Sequence, residues 1–405
     1  MISLDEARQR VLDACAPLPV ESIPLATALG CVTATPIVAG EPIPPFPNTA
    51  MDGYAVRAAD TANAPVTLKV IGTLAAGDDP TGHDVGTGEA LRIMTGAAIP
   101  DGADAIVMVE RTHTADAGTT VVIETAAKVG DHIRPAGEDI APGQEVFGAG
   151  TVLGPGHLGV LASLGVEAVA ARRRARVGVM STGDELVEGA VALRTGQIRD
   201  SNRPALLALA ASSGFEAFDL GLVRDDEVAI EQALRDGLAR CDAVVTSGGV
   251  SMGEFDYVRA VLDRLAPGGL TWMQVAIRPA KPLSFAVVDD KPVFGLPGNP
   301  VSSMVSFELF ARPALRQMMG FSGDGLDRQR VKAVTDDGLS RGTDGKLHLV
   351  RVVCEAGSDG RYHVRSSGGQ SSNLLRAMAL ANALALVPDG DGIPAGGDVE
   401  VMLLS

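Results

Sequence analysis

Aromatic side chains make up only 3% of the 405 residues, with a single tryptophan. Any hydrophobic core must therefore be built from Val, Leu, Ile and Ala. Cysteine is equally sparse: Cys15, Cys31, Cys241 and Cys354 stand far apart and match no zinc or redox spacing. They read as isolated buried thiols of a reducing compartment. The six histidines show no ligand spacing either, which argues against a His/Cys transition-metal site. No apolar run reaches 18 residues, so no membrane-spanning helix is expected. The first residues are acidic and amphipathic, with Ser3 and Glu6 placed as a capping box, and do not resemble a signal peptide. A cytoplasmic location is expected. Walker A, His-Glu-x-x-His and a Gly-x-Gly-x-x-Gly after the first strand are all missing, excluding those three chemistries. Positive charge is outweighed: the formal net charge of −16 disfavours nucleic acid and anionic membranes as partners. A small anionic substrate stays compatible, because salt screens a distant field beyond roughly 8 Å and a local Arg/Lys pocket prevails.

What is present points to several domains, since 405 residues exceed one compact core. After an opening helix, Pro42-Ile43-Pro44-Pro45-Phe46-Pro47 cannot be helix interior or central strand and reads as a stiff connector. Glycine-punctuated apolar runs follow, such as Val66–Val70 and Ala105–Val109, and predict a small β-rich module. Character changes near Arg172. Strands predicted at Val177–Met180, Ala217–Val223 and Ala243–Val245 alternate with helices over Asn202–Ser213, Asp226–Arg240 and Glu254–Leu265. That alternation predicts βαβ units on a parallel sheet. Beyond residue 325 strand signals return at Leu347–Val353 and Val399–Leu404, suggesting a terminal β domain. The fold class is multidomain α/β plus β. The divisions fall at 1–46 with 147–171, then 47–146, 172–325 and 326–405.

Ligands of an open parallel sheet sit beyond the carboxyl ends of its strands. The loops there are Ser181-Thr182-Gly183-Asp184-Glu185, Arg224-Asp225-Asp226, and the stretch from Thr246 to Asp256 that holds Ser247, Gly248, Gly249 and Ser251. Small residues with free amides at helix starts bind oxyanions, and interspersed carboxylates suit Mg²⁺. Asp226 alone reads as a helix N-cap. Arg278 and Lys281 lie in a proline-stiffened loop, and Pro297 and Pro300 flank Gly298-Asn299 in a rigid helix-entry turn. Asn48–Ala55, with Asp52 and Tyr54, is unusual for a plain linker, and Arg92–Gly96, with Thr95, joins a strand to a glycine turn. One pattern competes: Gly249-Val250-Ser251-Met252-Gly253 has the form of a serine-hydrolase elbow. The histidines that follow it are His348 and His363, both in the expected terminal β domain, and Gly248 and Gly249 lengthen the turn.

Six segments together resemble the MoeA family, molybdopterin molybdenumtransferases related to the gephyrin E domain. They are Asn48–Ala55, Arg134–Asp139, Ser181–Leu186, Gly196–Asn202, Ser247–Gly253 and Gly295–Pro300, in family order across nearly the whole chain. The resemblance implies an elongated four-domain protomer with a central domain of molybdopterin-binding type, and a homodimer whose cleft joins two subunits. It implies insertion of molybdate into adenylylated molybdopterin with release of AMP, Mg²⁺ as cofactor, and the molybdopterin adenylyltransferase as a further partner. By position, Glu185, Asp225 and Asp256 are implied as the acidic metal site, with Asp52 and Thr95 near the cleft. Ser247, Gly248, Gly249 and Ser251 are implied as substrate contacts, Arg278 and Lys281 as anion ligands, and Pro297 and Pro300 as the floor. Arg351 and Ser371 are implied to reach in from the last domain. Arg278 and Ala280 depart from the family's Lys-Pro-Gly-Lys-Pro, which turns a compact ammonium into a planar fork, and Pro47 replaces a residue that is often polar. The alternatives are a serine hydrolase through Ser251 and a non-catalytic gephyrin-like scaffold.

Overall fold

The computed structural model describes residues 1–248 and 257–404. It divides into two compact units, one of Met1–Ile23, Thr27–Ala34 and Ala170–Ser405, the other of Pro24–Ala26 and Thr35–Val169.

The first unit opens with helix α1 (Leu4–Asp13). The Ser3 hydroxyl accepts the Glu6 amide at 3.1 Å. The Glu6 carboxylate pairs with Arg10 one turn on, so only the Ser3 half of the expected capping box is built. Ala7 and Val11 are the buried face of this helix and join the unit's largest apolar cluster.

The smaller unit is built on a six-stranded sheet of β1 (Gly53–Val56), β2 (Val66–Leu74), β3 (Glu89–Ile93), β4 (Ala105–Met108), β5 (Thr112–Ala115) and β6 (Thr120–Ile123). Their order is β4-β1-β3-β2-β6-β5. The proline-rich stretch before it is not a free connector. Ile43 exchanges backbone hydrogen bonds with Ile140, and the Pro44 carbonyl accepts the Gly137 amide, so the segment is pinned within its own unit. Proline removes donors but leaves every carbonyl available, and those carbonyls do the pinning.

The larger unit holds the expected α/β body. Strands β7 (Arg176–Thr182), β8 (Glu216–Val223) and β9 (Ala243–Ser247) are joined by α2 (Asn202–Ser212) and α3 (Glu227–Arg240). Asp226 caps α3 by accepting the Ala229 amide at 2.8 Å, as its position predicts. Helix α4 (Tyr257–Leu265) follows; the expected start of this helix, at Glu254, lies outside the described residues. Then come β10 (Thr271–Gln274), β11 (Ile277–Arg278), β12 (Pro282–Val288) and β13 (Lys291–Leu296). The sheet order is β8-β7-β9-β13-β12-β10, parallel through β13 and antiparallel for β12 and β10. Buried apolar residues on β7, β9, β12 and β13 cover both faces, the pattern a covered sheet requires.

From α5 (Pro300–Ser306) the chain continues helically through a π-helical turn at Phe307–Ala311 into α6 (Arg312–Met318). Pro313 has no N–H, so the Leu309 carbonyl four residues back loses its ordinary donor. Arg8 of α1 supplies one: its Nη1 reaches the Leu309 carbonyl at 2.9 Å while Nη2 holds both Asp327 oxygens. Arg8→Ala is expected to destabilise the protein by about 1–2 kcal/mol, read from urea denaturation. An unchanged midpoint would mean that the Leu309 carbonyl finds another donor.

Within the same helical stretch Glu308 has a fully buried carboxylate, bonded twice to Arg328 at 3.0 and 2.9 Å and 3.8 Å from Arg312. Burial, then the charge of Arg328, pushes the Arg312 guanidinium down to about 10.

The chain ends in strands β14 (Arg330–Thr335), β15 (Leu347–Ala356), β16 (Tyr362–Ser366), β17 (Ala383–Val387) and β18 (Asp398–Leu403). Pairing runs β15-β16-β14-β18-β17 and returns to β15, which closes a five-stranded barrel. Strand β11 adds to it in parallel, with Ile277 opposite Leu347 and Arg278 opposite His348. The Arg278 segment, expected as a loop, is therefore a short strand that ties the α/β body to the barrel. The four cysteines are free and buried.

Candidate active site

Two groups of candidate residues emerge, one in each unit.

In the smaller unit β1 and β3 are antiparallel neighbours, with Gly53 opposite Ile93 and Tyr54 opposite Arg92. Asp52 directly precedes β1 and Thr95 follows β3, so register alone brings them together. An Asp52 carboxylate oxygen accepts the Thr95 amide at 2.7 Å and the Thr95 hydroxyl at 2.6 Å. Both hydrogen bonds hold the exposed Asp52 carboxyl below its ordinary range. The turn before it is shaped by Thr49, whose hydroxyl donates to the Met51 carbonyl at 2.6 Å. Glycine at 53 is required, because a Cβ there would sit 2.1 Å from the Val107 carbonyl oxygen. Arg92 lies over the Tyr54 ring at 5.1 Å, so the tyrosine that is unusual for a linker is packed within the sheet. Thr95→Val, which deletes one donor, is expected to raise the Asp52 pKa towards the ordinary value in an NMR titration. A pKa that stays put would mean that the backbone amide alone sets it.

In the larger unit the carboxyl ends of four parallel strands line up, with Thr182 beside Val223, Ser181 beside Ser247 and Ser247 beside Leu296. Their loops therefore meet at one edge. The first two carry acids. Asp184 and Asp225 exchange weak backbone-to-carboxylate hydrogen bonds, each 3.4 Å long. Burial first, then the charges of Asp184 and Glu185, push the half-buried Asp225 carboxyl above its ordinary range. A carboxyl raised in this way among like charges is a common mark of a functional site. No group of three acidic, His or Cys side chains among the described residues is already spaced as a metal-ligand set. Asp256, Gly249 and Ser251 lie outside the described residues.

On the other side of β7 the edge is neutral and small. Gly248 adopts a φ of +98°, and a Cβ on it would stand 2.7 Å from the Thr182 carbonyl oxygen, so glycine is obligatory. Its amide donates to the Leu296 carbonyl at 3.1 Å, which sets this turn beside the Pro297–Pro300 turn. Pro297 is buried while Gly298 and Asn299 are exposed, so the turn presents backbone at the edge.

Arg278 lines a cavity of about 270 Å³ together with Ser340, Arg341, His348, Ser366 and Gln370 of the barrel. Lys281 is exposed in the same segment but is not part of that lining. Arg351, expected to reach in, is instead fully buried: its Nη2 donates to the Gly369 and Ser371 carbonyls at 2.8 and 3.2 Å. Its Nε and Nη1 have no partner among the described residues. Ser371 is exposed beside it. Sequence reasoning missed Asn202, whose amide nitrogen lies 2.7 Å from both the Ser247 hydroxyl and the Gly298 carbonyl. It also missed Asp200, which accepts the Ser181 hydroxyl at 3.0 Å and pairs with the buried Arg203. Their only sequence signal was membership in the Gly196–Asn202 segment.

The hydrolase alternative draws no support. His348 is bonded to Asp344, and His363 is held between Asp336 and Asp359, all of them in or beside the barrel.

Comparison with known proteins agrees along the whole chain. Three family models match: "MoeA N-terminal region (domain I and II)" over residues 2–165, "Probable molybdopterin binding domain" over 178–317, and "MoeA C-terminal region (domain IV)" over 340–404. A molybdopterin molybdenumtransferase of Haemophilus influenzae is 36% identical over 399 residues, covering 98% of this chain and 97% of its own. Another from Nostoc is 37% identical, covering 95% and 88%. A crystal structure of the molybdopterin biosynthesis MoeA protein of Pyrococcus horikoshii superposes with a TM-score of 0.79 at 29% identity, covering all of this chain and 99% of that one.

Proposed function

The chain belongs to the MoeA family, and from that premise we propose that it is a molybdopterin molybdenumtransferase of molybdenum cofactor biosynthesis. In this reading adenylylated molybdopterin and molybdate bind, molybdenum is inserted at the dithiolene, and AMP leaves. The observation that carries it is the shared edge of the parallel sheet, where an acidic side and a side of small serine and glycine residues lie on adjacent strands. A phosphoanhydride needs both: neutral donors to grip its oxygens, and acids that recruit a cation to offset their charge.

Glu185, Asp225 and Asp256 are assigned to Mg²⁺. The donor chemistry fits, since Mg²⁺ takes few protein carboxylates and fills its remaining positions with water and phosphate oxygens. Asp225, held above its ordinary range among like charges, is a group that a cation would relieve. When bound, the ion supplies charge neutralisation at the scissile phosphate. Ser247 and Ser251 are assigned to the phosphates through their hydroxyls and Gly249 through its amide; Gly248, whose amide is engaged by the Leu296 carbonyl, is assigned there for the close approach that its missing side chain allows, with Pro297 and Pro300 holding the opposite wall. Arg278 and Lys281 are assigned to the oxyanions, molybdate among them, and Arg351 stiffens the Gly369–Ser371 turn so that Ser371 faces the ligand. Asp52 and Thr95 are assigned to the same reaction through a homodimer in which one subunit completes the other's cleft.

The reading includes four domains (1–46 with 147–171, 47–146, 172–325 and 326–405), a cytoplasmic setting, and delivery of substrate by an adenylyltransferase partner. No helix among the described residues is long and apolar enough to cross a membrane. The test is incubation of the purified protein with adenylylated molybdopterin, molybdate and Mg²⁺ while AMP is followed. AMP should appear only with both molybdate and the cation, and none under any combination would refute the assignment.

A further inference from the structure

The Gly196–Asn202 segment has no role in the scheme above, yet its last residue joins two of the turns that scheme uses. The central sheet runs β8-β7-β9-β13, so the chain goes from β7 to one side and returns to the other. The crevice of such a sheet opens between β7 and β9, where the order reverses. Asn202 stands there, as the first residue of α2. Its amide nitrogen donates to the Ser247 hydroxyl on β9 and to the Gly298 carbonyl after β13, each at 2.7 Å. A carbonyl cannot donate, so the nitrogen of the amide must face Gly298. Ser303 of α5 adds a 3.4 Å contact to the same Ser247 hydroxyl.

We propose that Asn202 is a positioning residue for the nucleotide-bearing substrate: it sets the spacing between the Ser247–Gly248 turn and the Pro297–Pro300 turn. This rests on the transferase reading. Strand pairing fixes the distance between β9 and β13 only as far as Ser247 and Leu296. The Gly248 amide extends that tie by one bond to the Leu296 carbonyl; past it the turns leave the ladder, and the Asn202 side chain is what reaches the Gly298 carbonyl. The tie is anchored from behind, independently of both turns. Asp200 accepts the Ser181 hydroxyl and the Arg203 Nε, each at 3.0 Å, and the buried Arg203 also pairs with Asp219 and Glu188.

The arrangement is not one that stability alone would select. The Asn202 amide oxygen, the Thr182 hydroxyl and the Thr246 hydroxyl are all buried without a partner among the described residues. Unpaired buried polar atoms are destabilising, and their concentration at one strand edge is the usual mark of geometry kept for function.

Asn202→Ala removes both bonds. Asn202→Asp keeps the shape but sets a carboxylate oxygen against the Gly298 carbonyl. Both are expected to raise KM for adenylylated molybdopterin about tenfold, the factor one lost hydrogen bond commonly gives. The kcat should change by less than about threefold, and the thermal midpoint should fall by a few degrees at most, leaving the variants folded at assay temperature. AMP affinity, measured by calorimetry, should weaken by the same factor. A purely structural residue would move the melt and leave KM and AMP affinity alone, and that result would overturn the proposal. So would equal AMP affinity in wild type and variants, including none in either. If the alanine variant does not fold, the isosteric aspartate carries the test. Wild-type protein that binds AMP yet releases none from the substrate would sink the transferase reading, leaving Asn202 to be judged on AMP affinity.

Discussion

Asp225→Asn is expected to lower AMP release by roughly 10²–10³-fold and, in the absence of divalent cations, to raise the melting temperature. The two effects share one cause. Burial and the charges of Asp184 and Glu185 hold the Asp225 carboxyl above its ordinary range. Between the unfolded and the folded pKa the native state then binds more protons than the unfolded chain, so stability falls as pH rises through that window. At neutral pH the ionised carboxylate is a net cost, and asparagine removes it at almost constant volume. Relative to the variant, the wild-type melting temperature should therefore decline as pH climbs above the ordinary aspartate range, because the other carboxyls titrate alike in both proteins. Added Mg²⁺ should raise the wild-type melt by mass action and leave the variant nearly unmoved. Glu185→Ala should lose activity by a similar factor. Full turnover by either variant would remove the acidic edge from the reaction.

Glu308→Ala is expected to destabilise the protein by about 3–5 kcal/mol, the range seen when one member of a buried ion pair is deleted. The carboxylate is fully buried and serves Arg328 through two hydrogen bonds, with Arg312 3.8 Å away. Without it two guanidiniums are left together in the interior, and Arg312 is already pushed down by burial and by Arg328. Replacement of both Glu308 and Arg328 by apolar residues should recover much of the loss, because the penalty lies in the stranded charge. Urea midpoints for the single and double variants test this. A single variant within about 1 kcal/mol of wild type would show that water or a neighbouring group compensates the two cations.

Local signals carried far where the physics is local. The Asp226 cap needs only its own side chain and the amide three residues on, and it forms as its position predicts. Alternating apolar runs and amphipathic stretches predict the strands and helices of the α/β body, since each buries its face whatever its neighbours are. The edge that collects Glu185, Asp225 and Ser247 also followed from the sequence, because parallel βαβ order sends every such loop to one side. Even the antiparallel turn of β12 and β10 leaves that edge unchanged.

What the chain order left open depends on partners distant in sequence. Asn202 meets Ser247 across 45 residues and Gly298 across 96, and Arg8 meets Leu309 across 301. No propensity or spacing encodes such pairs, since each is fixed only when whole elements dock. Arg278 looked like part of a loop until β15 offered it a strand to join. Arg351, implied by the resemblance to reach in from the last domain, is fully buried once the barrel closes around it. The sequence by itself determined the alternation of strands and helices in the α/β body, the parallel run of its first three strands and the chemical character of their carboxyl edge, because those follow from backbone periodicity and connectivity. The tertiary structure alone decided which cations are sealed, which acids are crowded and which side chain ties the turns, because burial and charge proximity exist only after packing.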